Sequence, residues 1–281
     1  MSVVPEVAPA KINVCLFLGP TREADGRHEL VTVMQAVTLT DEVSLVFGAD
    51  GDTVACPGVT GDNLALAAIR AFRARTGWRG PSVHLDIVKR IPVAAGMAGG
   101  SADAGAALRL VAAEAGVDDD ALLRQIAAGL GADVPAQVRP GRVLATGAGE
   151  EVEMLAPPPP YGILVVPSRE RLRTPDVFRE ADRLGLPRER AALDEALAAV
   201  REHAADLPDA LVVNELEPAA RSLCPSIDAT LGRVRELGAD HALVSGSGPT
   251  VLGLFARPER AEQAARELGD GAVAVRPWGS A

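Results

Sequence analysis

The sequence predicts an α+β protein of two domains, and three observations carry that prediction. Near the start Ile12, Val14, Leu16 and Leu18 alternate with Lys11, Asn13, Cys15 and Phe17, the period of a strand with one face on a core. Beyond residue 160 the strand-like and helix-like runs follow the order β-α-β-β-α-β once extra helical segments are set aside. Between the two regions lies APPPP at 156–160, a stiff extended stretch that helices and central strands do not cross. The division expected is 1–155 and 156–281.

Taken in order, AKINVCLFLG (10–19) is the first strand, and its period places Lys11 and Asn13 on one face. A polar loop, PTREADGRHE (20–29), leads to two further β-rich runs, LVTVMQAVTL and EVSLVF, separated by Thr40 and Asp41. NLALAAIRAFRARTG (63–77) has helical spacing and closes on Gly77. SVHLDIV (82–88) alternates Val83, Leu85 and Ile87 with His84 and Asp86 and runs into a glycine-rich segment. DALLRQIAA (120–128) is a helix. In the second half YGILVV (161–166) is a strand, three or four helical segments fill 175–237, and HALVSGS, TVLGLFA, the helix PERAEQAARELG and the strand AVAVRP follow. This is the split order of ferredoxin-like domains.

Composition excludes several classes of function. The chain has 281 residues, 48% of them hydrophobic and 3% aromatic, and no apolar run approaches the roughly 18 residues of a membrane span. The opening MSVVPEVAPAKINV lacks the pattern of a secretory signal, so a cytoplasmic location is expected. Cys15, Cys56 and Cys224 are odd in number and far apart, which fits buried fillers and neither a disulfide framework nor a zinc cluster. A net charge of -10 without a basic stripe argues against nucleic acid. Neither a nucleic acid nor a membrane is expected as partner, and the oligomeric state expected is a monomer or a weak homodimer. The only lysines are Lys11 and Lys89 in an arginine-rich chain, positions where a compact ammonium is chosen or where chance left one.

Three segments carry candidate chemistry. In IPVAAGMAGGSADAGAALRL (91–110) Pro92 ends a strand. Gly96, Gly99 and Gly100 permit positive φ and close approach, and Ala107, Leu108, Val111 and Ala115 trace a helical stripe from Ser101 onward. The free amides and dipole of such a helix start suit an anion. Ser101 is placed to cap the helix, or to turn its hydroxyl to a phosphate or its metal ion. A tight turn packed with small residues reads equally well. The segment is neither a Walker A loop nor a Rossmann fingerprint. GLGADVP (129–135) holds Asp133 in a constrained turn, as a structural turn residue or as a base for a hydroxyl proton. VSGSGPTV (244–251) joins two strands through Gly246, Ser247, Gly248 and Pro249, either an ordinary turn or a second close approach to a ligand.

PAKINVCLFLG, IPVAAGMAGGSADAGAAL and VSGSGPTVLGLF, in that order, resemble the three signature segments of the GHMP small-molecule kinases. ADGRHELVTVMQAVTLTDEV, DNLALAA, GADVPAQV and NELEPAA narrow the likeness to the branch acting on a cytidine-diphospho-methylerythritol in the non-mevalonate route to isoprenoids. The resemblance covers nearly the whole chain. It implies an enzyme with the GHMP kinase fold, an N-terminal ribosomal-protein-S5-like domain and a C-terminal ferredoxin-like one. It also implies transfer of the γ-phosphate of ATP, with Mg2+, to the 2-hydroxyl of the erythritol unit. By the same resemblance Asp133 is the general base and Lys11 its cationic partner. Pro92, Val93, Ala94, Ala95, Gly96, Met97, Ala98, Gly99, Gly100, Ser101 and Ala102 wrap the ATP phosphates, and Asn63 lies near the adenine. Asn13, His28, Phe178, Gly246, Ser247 and Gly248 are substrate contacts, with His28 reading the cytosine edge and Phe178 stacking on it. No carboxylate pair announces itself as a magnesium cage.

Two departures from the family pattern matter. Where the family has Asp-Gly-Tyr-His, this chain has Arg27 in place of the tyrosine, so a guanidinium face is expected to stack on the base. The phosphate segment reads GMAGGSAD where GLGGGSSD is commoner, and Ala98 and Ala102 are expected to weaken or shift phosphate contacts. Two alternatives stay open: another kinase of the superfamily, acting on homoserine, mevalonate or a sugar, and a catalytically silent relative that senses a ligand. His84, His203 and His241 read as structural or solvated.

Overall fold

The computed structural model describes residues 3–93, 95–204, 206–269 and 271–279. The chain runs β1 (Val3–Thr21), β2 (His28–Phe47), β3 (Thr53–Ala55), α1 (Leu64–Thr76), β4 (Val83–Val88), α2 (Gly99–Ala115), α3 (Asp120–Ala128), α4 (Val134–Val138), β5 (Arg142–Thr146) and β6 (Glu151–Met154). It continues through β7 (Gly162–Val166), α5 (Thr174–Arg183), α6 (Arg190–Glu202), α7 (Glu217–Leu223), α8 (Ser226–Glu236), β8 (His241–Val244), β9 (Val251–Phe255), α9 (Pro258–Leu268) and β10 (Val273–Val275). Packing gathers these into two compact units, each drawn from separate stretches of sequence. One comprises the chain up to Ala10, Leu39–Pro92 and Ala98–Pro140; the other comprises Lys11–Thr38, Val93–Met97 and Gly141 onward.

In the first unit the C-terminal half of β2 pairs antiparallel with β4 in the register Val43↔Ile87 and Leu45↔Leu85, and β3 adds parallel to β4. The inward residues expected of SVHLDIV are those the core takes: Val83, Leu85 and Ile87 are buried. Helix α1 is capped by Asn63, whose Oδ1 accepts from the amides of Ala65 and Leu66 at 2.9 and 3.3 Å, and it ends on Gly77 at φ 71°. Alanine and glycine make up six of the ten buried residues of helix α2, which lets α1 and α4 pack close against it.

In the second unit the N-terminal half of β2 pairs with β5, and β5 with β6. A four-stranded antiparallel sheet in the order β10-β7-β9-β8 has the ferredoxin-like arrangement, with α5 to α8 filling the first crossover. Its core holds Leu164, Val177, Leu216, Ile227, Leu231, Val234 and Phe255.

Four expectations are corrected. LVTVMQAVTL and EVSLVF are not two strands: β2 runs through Thr40 and Asp41 without a break, because Asp41 finds partners inside the protein and needs no turn. In β1 the alternation does not separate core from solvent, since every residue from Ala8 to Gly19 is buried. A strand covered on both faces keeps its apolar character at Cys15 and Phe17 as well. Helix α2 starts two residues earlier than Ser101, so Ser101 lies within the helix and does not cap it. Cys15 and Cys224 are buried, but Cys56 is half-buried, because it follows the short β3 at the margin of its sheet.

Candidate active site

In the second unit the three motif segments meet. Lys11, 6% exposed, sits on β1 with its backbone amide donating to the Met97 carbonyl at 3.1 Å. The two-residue period of the strand sets Asn13 beside it, and the ammonium donates to Asn13 Oδ1 at 2.8 Å. Asn13 Nδ2 in turn donates to Thr32 Oγ1 at 2.8 Å, and Thr32 donates to the Cys15 carbonyl at 2.6 Å. This chain of buried bonds fixes the amide orientation and aims the ammonium.

The turn between β8 and β9 closes on the same place. Gly246 and Gly248 adopt φ of 55° and 75°, conformations glycine takes without penalty. A Cβ on Gly246 would lie 3.1 Å from Asn13 Oδ1 and 3.9 Å from Lys11 Nζ; one on Gly96, at φ 71°, would lie 2.5 Å from the Ser245 carbonyl. Ser245 Oγ donates to the Gly96 carbonyl at 3.2 Å, and Ser247 Oγ pairs with Thr174 Oγ1 at 2.9 Å. One residue that sequence reasoning left without a role holds this turn. Buried Asn214 donates to the Val244 and Gly246 carbonyls at 2.8 and 2.7 Å while accepting from the Leu216 amide at 3.0 Å. Its segment, NELEPAA, was the available signal.

The aromatic end of this unit contains His28 and Phe178, 150 residues apart in sequence. Their rings stack with centroids 5.5 Å apart and planes at 23°. His28 Nδ1 lies 3.0 Å from the Gly19 carbonyl and donates to it; Nε2 faces Asp182 Oδ1 at 3.0 Å. Arg27 turns its guanidinium to the Ala148 carbonyl at 3.2 Å, with Glu150 4.0 Å away.

In the first unit the start of α2 is bare. Ala98 precedes it at φ 54°, and no side chain caps the helix, so nothing local competes with an anion for its first amides. Gly99 and Gly100 are helical and do not use positive φ; Ala98 does, alone among the described non-glycine residues. Left-handed backbone costs an L-residue about 1–2 kcal/mol. Ala98→Gly is therefore expected to raise the melting temperature of the nucleotide-free protein by about 2–4 °C. Scanning calorimetry checks this, and a lower melting temperature contradicts the strain. Asp133 begins α4 at φ -85° and makes no capping bond there. All five residues of α4 are buried, and α4 is held to α2 where Gly105 lies against the backbone of Gln137.

Beneath α2 lies a group the sequence did not disclose. Lys89 is ion-paired with both Asp41 and Asp103. Burial pushes the Asp103 carboxyl upward against the pull of Lys89, and the same burial works against the Lys89 ammonium, which the two carboxylates nevertheless hold above its ordinary value. Asn63 spends its carbonyl oxygen on the α1 cap. Val93 is exposed, Ala95, Met97 and Ala102 are buried, and Ala94 lies outside the described residues. No group of three or more His, Cys, Asp or Glu able to hold a metal ion occurs among the described residues. No helix among them is long and apolar enough to cross a membrane.

Comparison with known proteins identifies the family. Residues 63–141 match the family model described as the GHMP kinases N terminal domain, and residues 189–273 match GHMP kinases C terminal. A protein of Streptomyces coelicolor named 4-diphosphocytidyl-2-C-methyl-D-erythritol kinase is 44% identical over 268 residues, covering 89% of this chain and 86% of its own. One of the same name from Arthrobacter is 41% identical, covering 93% and 88%. A crystal structure of 4-(cytidine 5'-diphospho)-2C-methyl-D-erythritol kinase superposes with a TM-score of 0.81 at 33% identity, covering 98% of this chain and 100% of that one. Homoserine kinase from Cytophaga hutchinsonii shares the fold, with a TM-score of 0.73 at 18% identity, covering 99% and 95%.

Proposed function

From the premise that the chain belongs to the GHMP kinases and, within them, to the 4-diphosphocytidyl-2-C-methyl-D-erythritol kinases, we propose that it transfers the γ-phosphoryl group of ATP to the 2-hydroxyl of that cytidine compound. In the step proposed, the carboxylate of Asp133 takes the hydroxyl proton, the oxygen bonds to the γ-phosphorus, and the bond to the ADP oxygen breaks. Lys11 offsets the charge gathering on the transferring group, and the amides at the start of α2 receive the nucleotide phosphates. Each well-aimed group of this kind contributes roughly 100-fold or more in rate. Mg2+ bound with the nucleotide would add charge neutralisation at the phosphates, held largely by nucleotide oxygens and water.

The observation that carries the reading is the buried, aimed ammonium of Lys11 at the meeting of β1, residues 93–97 and the β8–β9 turn. The cytidine end is supported by the stacked His28 and Phe178. Arg27, tied to Ala148, contributes a cationic rim in place of a tyrosine face.

The test is ADP release from Mg-ATP with the cytidine compound, homoserine, mevalonate and a sugar supplied in turn. Turnover with the cytidine compound alone is expected; turnover with another alcohol and none with it overturns the reading. His28→Ala should raise KM for the cytidine compound about 10- to 100-fold with little change in KM for ATP, the effect of losing one stacked, hydrogen-bonded base contact. Equal shifts in both constants would place His28 elsewhere.

A further inference from the structure

Lys89, one of the two lysines, has no task in the phosphoryl transfer just described. Its ammonium is nevertheless among the most heavily engaged groups in the first unit. It bonds Asp103 Oδ2 at 2.7 Å and also bonds Asp41. Asp41 is fully buried within β2 and through its other oxygen accepts the amides of Arg90 and Ile91 at 2.5 and 2.8 Å. Asp103 is the fifth residue of α2 and is 4% exposed. Lys89 thus ties together three elements: a residue inside β2, the end of β4 and the start of α2.

The tie bears directly on the first turn of the helix. A Cβ added at Gly99, the first residue of α2, would lie 3.2 Å from Lys89 Nζ and 3.1 Å from Ile91 Cγ2. That turn therefore passes close over both the Lys89 ammonium and Ile91, and a side chain at 99 would press on both. Such a place does not favour a cation on its own account, since the helix N-terminus is the positive end of the dipole. Nor does a buried ion triad need to exist for stability, because apolar replacements of similar volume often serve as well or better. What the triad supplies is position. Ala98 offers no side-chain cap, so no side-chain bond at the N-cap decides where α2 begins. The decision falls to the contact from beneath. The network is also incomplete: Asp103 Oδ1 is buried without a hydrogen-bond partner.

We propose that Lys89, clamped between Asp41 and Asp103, is a positioning residue for nucleotide binding, setting the height of the first turn of α2 and with it the amides at 99–101 that receive the phosphates. The proposal rests on the reading of 96–102 as the phosphate segment. It does not depend on which alcohol is the acceptor.

The decisive variant is Lys89→Met/Asp103→Asn, which removes one positive and one negative charge and so leaves the local balance as it was. Asp41 keeps its two amide partners. Affinity for a non-hydrolysable ATP analogue, measured by calorimetry, is expected to weaken about tenfold through misplacement of the turn. KM for ATP should rise in parallel, while kcat at saturating ATP and KM for the acceptor stay within about twofold. Analogue affinity within about twofold of the unaltered protein, in a variant with unchanged circular dichroism, overturns the proposal. Should the double variant fail to fold, Lys89→Arg answers the same question. It retains the ion pairs but places a larger head under Gly99, and affinity weakened about fivefold supports the clamp where unchanged affinity sinks it. Should the unaltered protein itself not bind the analogue, the phosphate-segment reading and the proposal fall together. If it binds while the variants bind equally well, only the clamp is lost.

Discussion

An Asp133→Asn enzyme is expected to lose about 10³-fold in kcat, the largest effect of any single change, with KM for ATP nearly unaltered. The amide matches the carboxylate in shape but takes no proton, so the loss falls on the chemical step alone. Lys11→Met is expected to lose about 10²- to 10³-fold through the charge it no longer offsets. That variant also strips Asn13 Oδ1 of the 2.8 Å bond from the ammonium, leaving a buried acceptor unmet at a cost of about 1–3 kcal/mol in stability. The two losses should not multiply. If both groups serve one transfer as proposed, the double variant should fall close to the worse single one. Single-turnover measurements of phosphoryl transfer check all three. An Asp133→Asn enzyme keeping a tenth of its rate would remove Asp133 from the role of base, and strict multiplication would separate the two residues.

How much of this was legible depends on distance along the chain. SVHLDIV and the second-half order β-α-β-β-α-β were readable because a strand with one covered face writes its burial into every second residue. The same reasoning misjudged β1, where both faces are covered and the polar Lys11 and Asn13 are buried beside the apolar residues. It also misjudged Asp41, a residue that looks like a turn until its partners, 48 to 50 positions away, are in view. Helix α4 spans five residues, less than two turns, too few for a 3.6-residue period to show itself. The stack of His28 on Phe178 and the hold of Asn214 on the β8–β9 turn join positions that no local pattern links. Family resemblance named His28 and Phe178 as separate contacts of the cytosine, and only the fold shows their stack and the hold of Asn214. Ala98 was read only as weakening or shifting a phosphate contact, and its left-handed backbone makes it a point of strain as well.

Gly105→Ala separates local preference from packing, because the two call for opposite signs. Gly105 lies in the middle of α2, where alanine is favoured over glycine by about 1 kcal/mol. A Cβ there, however, would stand 2.4 Å from the Gln137 carbonyl oxygen and 2.7 Å from its carbon, backbone atoms of α4 that have no rotamer to change. Arg109 Nη1 donates to that same oxygen at 2.5 Å, so α4 is held from a second direction and yields only by moving as a piece. Overpacking of this kind costs about 1–3 kcal/mol. Packing is therefore expected to win, and the melting temperature should fall by about 2–6 °C. Asp133 heads the displaced helix, and a shift approaching 1 Å in a reacting group lowers rate about 10- to 100-fold. Gly232→Ala is the control, since the added methyl in α8 meets nothing within 4 Å and helix preference alone should raise stability by up to about 1 kcal/mol. Calorimetry and kcat on the two variants decide the matter. If Gly105→Ala is stabilised like the control and keeps its kcat, close contact between α2 and α4 does not set the position of Asp133.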